Sequence, residues 1–341
     1  MSPKFIFSEI ALIRPILIFS IIIGHAFAVF TDSVYWPLPI GMHTSDVLRC
    51  INPIMISFAL QAFVFIAGFL FAYKSDKITT SKSEQHRFVL AKFKRIYIPS
   101  LIFSTLYILC FDSFDVGSIY DILNGAGHLW FLPMLFWCYT FGALFINLII
   151  NPPTFIRLTI LVVVSVFSLY LPDYFRIASG LHYFVYFVIG GWVYKFRNTF
   201  RCFSYCSKPN TIIFGWILIL FFCFVKCYLA YYCDGVISLR LLSLLKILTN
   251  SALGIIGAIT LYFSAEYIVN KFPNIKSVRG DIWYGMYIYH QFCMIYLYYH
   301  TNLPEYLGNN ALYAILVITV FTSLTLVLAT LKSKLGHWLI G

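Results

Sequence analysis

Ten runs of mostly apolar residues constrain this chain more than any other feature. They lie near 10–30, 51–73, 96–111, 129–150, 155–171, 181–194, 211–232, 241–264, 282–300 and 311–331. About 20 such residues in a helix cross about 30 Å of hydrocarbon. Within lipid, only helices and closed barrels satisfy their own backbone polar groups. The apolar fraction is 61% and the charged fraction 11%, against about 45–50% and about 25% in soluble domains. That balance excludes a soluble globular enzyme, and it excludes a disordered chain, which needs low hydrophobicity and high charge density. A formal charge of +11 would suit nucleic acid in a polar chain. In an apolar chain it is the excess that cytoplasmic loops carry, so no nucleic-acid partner is expected. The expected architecture is all-α, a polytopic transmembrane bundle of about ten helices whose surroundings are the lipid bilayer.

Lysine and arginine fix the expected orientation. With a cytoplasmic N-terminus, the outside loops hold only Arg49, Arg176 and Arg240, while Arg14, Lys226 and Lys246 lie within runs. The other 18 of the 24 fall inside, Lys4, Lys276 and Arg279 among them. This bias predicts both termini in the cytoplasm, with 112–128 an outer loop. The first run has a signal-peptide look, with Lys4 before it and Ala26-Phe27-Ala28 as a formal cleavage pattern. Arg14 and His25 interrupt its apolar stretch, so it reads as a retained helix. The longest hydrophilic stretch, 74–95, reads as a basic cytoplasmic loop in contact with anionic lipid. Residues 1–341 are therefore expected to form a single membrane-embedded domain with no appended soluble domain, multi-pass in the plasma (inner) membrane.

Polar residues inside apolar runs are costly and usually face a cavity or a partner. Arg14 and His25 are eleven apart, within about 20° of three full helical turns and separated by about 16 Å along the axis. Both therefore project from one face, Arg14 toward the cytoplasmic side and His25 toward the outer side. Two readings stay open: an inward-looking functional stripe, or a snorkelling Arg14 with His25 donating to a neighbouring carbonyl. His290 lies within Trp283–Gln291, and His128 opens the fourth run in Gly127-His128-Leu129-Trp130. No His or carboxylate spacing supports a metal site. The nine cysteines make no CxxC pair and read as small hydrophobic thiols. All thirteen acidic residues fall in loops or at the ends of runs, which argues against a buried carboxylate relay of the pump type.

Five segments resemble the acyltransferase 3 family of integral-membrane O-acyltransferases. Arg14-Pro15 through Gly24-His25 is similar to its first-helix Arg and His, and Phe63–Leu70 to its second-helix Phe-Phe-x-x-Ser-Gly-Phe-Leu pattern. Lys92–Pro99 resembles the basic approach to helix three, His128–Leu132 the start of helix four, and Tyr284–His290 the Tyr-Gly-Ile-Tyr-Leu-x-His run of helix nine. The matches run in family order over most of the chain. Ala67 stands where the family usually has Ser, and Lys92 where an Arg-x-x-Arg pair would begin, leaving Arg95 as the clear match.

The resemblance implies transfer of an acyl group, most often acetyl, from cytoplasmic acetyl-CoA to a hydroxyl of a cell-envelope or exported sugar or polysaccharide, free or lipid-linked. Acyl-CoA is then a co-substrate, and no cofactor is bound. His25 would act as general base, with Arg14 the second catalytic residue on the same helix face. His128, Trp130 and His290 would be supporting residues, and Lys92, Lys94 and Arg95 would meet the CoA phosphates. The alternative from another class is a transporter or flippase for a glycolipid, with Arg14, His25 and His290 lining its path.

Overall fold

The computed structural model describes residues 7–31, 33–78, 81–112, 114–233, 238–273 and 280–340; the side chains of Lys77 and Val116 are excepted. Lys4, Lys276 and Arg279, counted above among the inside charges, lie outside the described residues. The described residues contain no β-strand, only an isolated antiparallel bridge between Ser33 and Trp36. The protein is all-α.

The helices are α1 (Ser8–Ala28), α2 (Asp46–Ile56), α3 (Ala59–Ile78), α4 (Lys82–Lys92), α5 (Ile98–Phe111) and α6 (Val116–Asn124). After them come α7 (Phe131–Leu144), α8 (Ile146–Ile150), α9 (Phe155–Ser168), α10 (Ile177–Phe196) and α11 (Arg201–Cys206). The series ends with α12 (Pro209–Tyr231), α13 (Leu239–Lys271), α14 (Gly280–Tyr299), α15 (Leu303–Leu307), α16 (Ala311–Thr330) and α17 (Lys334–Ile340).

Among the described residues, seven helical segments are long and apolar enough to cross a membrane: Ser8–Thr31, Asp46–Asp76, Lys82–Phe111, Tyr174–Phe196, Pro209–Tyr231, Leu239–Lys271 and Leu303–Thr330. The expected ten is therefore a loose count. The other three runs are also helical, but α7 and α9 have 14 residues each, about 21 Å of rise against about 30 Å of hydrocarbon. The 20-residue α14 is long enough, but six tyrosines, His290 and Gln291 lower its hydropathy.

The stretch 74–95 is a correction. It is helical on both sides of the undescribed pair 79–80, since α3 runs to Ile78 and α4 begins at Lys82. Ser81 caps α4 by accepting from the Glu84 amide at 3.2 Å, which ties down a donor that the helix leaves open. Hydropathy reports where lipid is, whereas α4 is a polar helix held by its cap. The stretch 112–128, expected as an outer loop, likewise contains α6, started by a capping box between Asp115 and Ser118.

The chain divides into two compact units, Met1–Ala62 with Cys206–Gly341, and Phe63–Tyr205. In the first, α1 packs with α2, α13 and α14, α12 with α13, and α14 with α16. Ile213, Phe214, Ile217, Leu220, Phe221 and Phe224 of α12 are all more than half exposed, an apolar surface that suits lipid rather than water. In the second unit, α10 is flanked by α7, α8 and α9. A Cβ at Gly68 would run into the Phe187 carbonyl, and one at Gly190 into the Phe65 carbonyl. Two backbones thus meet face to face where only hydrogen fits, the small-residue contact on which helix association in lipid depends. That accounts physically for the glycine of the Phe63–Leu70 segment.

Candidate active site

Helix α1 is continuous through Arg14, Pro15 and His25, so the expected one-face spacing of Arg14 and His25 holds as geometry. Pro15 withholds one helical donor, which the helix tolerates. Both polar side chains are half-buried. Near the C-terminal end of α1 the backbone is tightly held. Asn52 Nδ2 donates to the Gly24 carbonyl at 2.7 Å, and Tyr298 Oη to the Ala26 carbonyl at 2.8 Å. A Cβ on Gly24 would collide with Ile56, so His25 follows a residue chosen for the close approach of α2.

The structure brings His25 and His290 together. Their ring centroids lie 5.4 Å apart at an interplanar angle of 34°. His290 is wholly buried, and its Nδ1 lies 2.7 Å from the Tyr287 carbonyl and 3.3 Å from that of Met286. A carbonyl only accepts, so Nδ1 carries the proton and Nε2 is the nitrogen with the lone pair in the neutral ring. His25 also stacks on Trp36, with centroids 5.8 Å apart and an angle of 26°.

Trp36 escaped the sequence reading. It sits in an irregular segment after the first helix, where no periodicity marks it. Backbone bonds to Ser33, at 2.9 and 3.2 Å, hold it in place, together with the bond from its amide to Ser33 Oγ at 3.2 Å. Farther along, Tyr299 Oη donates to the Pro37 carbonyl at 2.9 Å, and the His43 amide to Asn309 Oδ1 at 2.8 Å. The loop that carries Trp36 is thereby tied to the end of α14 and the turn before α16.

His128 and Trp130 belong to the other unit, on a 3₁₀ turn, Gly127–Trp130. Helix α5 and the residue just before it support the approach to it: Tyr97 Oη donates to the Leu123 carbonyl at 2.9 Å, and Ser104 Oγ accepts from the Ala126 amide at 3.0 Å. Gly127 has a left-handed φ of 54° and a Cβ there would press on the Tyr107 ring, which leaves glycine as the residue that fits. His128 is buried, 6.5 Å from the Tyr107 ring between centroids. Trp130 is half-buried beside Tyr183, with centroids 6.2 Å apart.

Lys92, Lys94 and Arg95 flank or occupy a single π-helical turn, Phe93–Tyr97, between α4 and α5. Such turns occur mostly as isolated bulges, frequently at functional sites. Lys94 and Arg95 are exposed and Lys92 half-buried. Lys92 Nζ sits 3.8 Å from the Tyr139 ring centroid and 5.4 Å from that of Phe88, a cation held on aromatic faces.

A helical chain with several membrane-length spans defines a multi-pass membrane protein, and this one sets a histidine pair on facing helices. The sequence profile of the acyltransferase 3 family, described as an acyltransferase domain, matches residues 7–331. The chain belongs to that family and is a membrane acyltransferase. No curated protein and no solved structure matches it.

Proposed function

We propose that this enzyme moves an acyl group, most simply acetyl, from cytoplasmic acyl-CoA to a hydroxyl of a cell-envelope or exported sugar or polysaccharide at the plasma membrane. The observation that carries the reading is the His25–His290 pair, two imidazoles in contact within apolar helices. Neither carries a carboxylate's permanent charge, and imidazole can both accept and donate a proton through its two ring nitrogens.

In this reading His25 takes the proton of the acceptor hydroxyl while its oxygen attacks the thioester carbonyl. The C–O bond forms, and the carbonyl oxygen gains negative charge in a tetrahedral intermediate. Collapse breaks the C–S bond, leaving the ester, and coenzyme A departs as a thiol with the proton returned from His25. His290 orients its neighbour, its own ring fixed by the Tyr287 and Met286 carbonyls. A donor is needed at the developing oxyanion, a role open to Arg14 or to a neighbouring His; Arg14, about 16 Å along the helix from His25, lies where the thioester arm would enter. Lys92, Lys94 and Arg95 supply positive charge for the CoA phosphates, with Arg95 the one able to present a planar fork.

The test is direct. Purified protein in nanodiscs is given radiolabelled acetyl-CoA and the envelope polysaccharide of a strain lacking the gene. Alkali-labile label in the polysaccharide supports the proposal. Movement of a glycolipid without esterification would support the flippase instead.

A further inference from the structure

We propose that Arg176 is an acceptor-binding residue, and that with Trp130 and Tyr183 it forms a platform for the ring of an uncharged sugar. The inference rests on the sugar-acceptor reading above and adds to it where the acceptor is gripped.

Two consecutive residues without a glycine among them, Phe175 and Arg176, have left-handed φ angles of 54° and 60°. Each such residue is strained and persists only where its surroundings enforce it. The surroundings here are specific. The Phe175 carbonyl accepts from Trp137 Nε1 at 2.8 Å. Arg176 Nε donates to the Asn124 carbonyl at 3.1 Å, and Nη1 to Asp173 Oδ2 at 3.1 Å. Asp173 is itself anchored, since its Oδ1 accepts from the Ser179 amide at 2.9 Å and its Oδ2 from Ser179 Oγ at 2.5 Å.

The strained backbone thus delivers a guanidinium whose plane is fixed by two bonds and whose remaining N–H groups are one on Nη1 and two on Nη2. Its side chain keeps 32% of its exposure, and Cζ stands 5.8 Å from the Trp130 ring centroid. Trp130 in turn meets Tyr183. An aromatic face beside a preoriented planar donor matches a pyranose, which offers a C–H face for stacking and adjacent hydroxyl oxygens for a forked donor. Asp173 offsets the arginine's charge, so the cluster is neutral overall and suits vicinal hydroxyls better than a carboxylate. A purely structural arginine would need neither the strain nor the uncommitted edge.

Glycine adopts positive φ freely, so Arg176→Gly removes the side chain while relieving the backbone, and Phe175→Gly relieves the neighbouring residue with the guanidinium intact. The probes are the methyl glycosides of glucose, galactose and mannose and the matching methyl hexuronides, assayed with acetyl-CoA and full-length protein in nanodiscs. Arg176→Gly is expected to raise KM for the accepted glycoside about tenfold or more, as befits lost hydrogen bonds to a charged donor. KM for acetyl-CoA should stay at the wild-type value, and Phe175→Gly should match wild type in both. An unchanged glycoside KM in Arg176→Gly, or equal losses toward donor and acceptor, would overturn the assignment while the acyltransferase reading stood. A wild-type preference for the hexuronide would overturn the neutral-sugar part. Wild-type protein that acylates none of the probes would remove the sugar-acceptor reading, and this inference with it.

Discussion

His290 donates its Nδ1 proton to the main-chain carbonyl of Tyr287 at 2.7 Å, and that one bond decides which ring nitrogen can trade protons. The carbonyl lies one helical turn back on the same helix, so the tautomer is set locally and survives motion of other helices. His25, 5.4 Å away between ring centroids, therefore has a neighbour of defined polarity.

If the two rings act as one unit, their losses will not add. His25→Ala should lower acyl transfer by about 10²–10⁴-fold, the usual worth of a general base. His25→Ala/His290→Ala should be scarcely worse than His25→Ala. Turnover normalised to folded protein checks this; additive losses in the double variant would separate the two roles.

At the π turn, Arg95→Ala should raise KM for acetyl-CoA about tenfold or more, as expected for a lost charge-assisted hydrogen bond, with kcat little changed, because contact with remote phosphates is mostly uniform binding. Lys92→Arg should be milder, since a guanidinium can also lie over Tyr139. Initial rates over a range of acetyl-CoA concentrations distinguish the two residues.

Gly68→Ala and Gly190→Ala should each destabilise the protein by about 1–3 kcal/mol or more, the range for overpacking, because each added methyl meets backbone. Thermal unfolding in detergent would report both. A melting temperature equal to wild type in either would show that α3 and α10 part without cost.

Asp115 accepts from the amide and hydroxyl of Ser118 at 2.8 and 2.9 Å, and these bonds hold its carboxyl below the usual range. A depressed carboxyl favours the folded cap at pH above the unfolded value of about 3.9, and the benefit is lost as pH falls through the folded one. Hydrogen exchange at the Ser118 amide, corrected for intrinsic rates, should accelerate on acidification in wild type and stay level in Asp115→Asn.

How far the residues announced all this depends on the kind of signal. The helical runs and His25 and His290 were legible because lipid makes polarity conspicuous. Helix α4 was also legible, though not to hydropathy: Ser81 and Glu84 carry the spacing of a capping box. Trp36 gave no such sign, since its contact with His25 depends on ties to the distant Tyr299 and Asn309. Arg176 read only as an outer charge, because the dipeptide Phe175-Arg176 has neither glycine nor asparagine to betray a left-handed turn.

The π turn at Phe93–Tyr97, closed by the Ile98 amide on the Phe93 carbonyl, holds one residue more than an α-helical turn would. It absorbs that extra residue and leaves α4 and α5 nearly in phase with each other. Removing a single residue there would let the ladder close as an ordinary helix, with Lys92 still over Tyr139 and Tyr97 still bonded to Leu123. What the extra residue changes is the face that the turn itself presents, Lys94 and Arg95 foremost, on an otherwise unchanged helix.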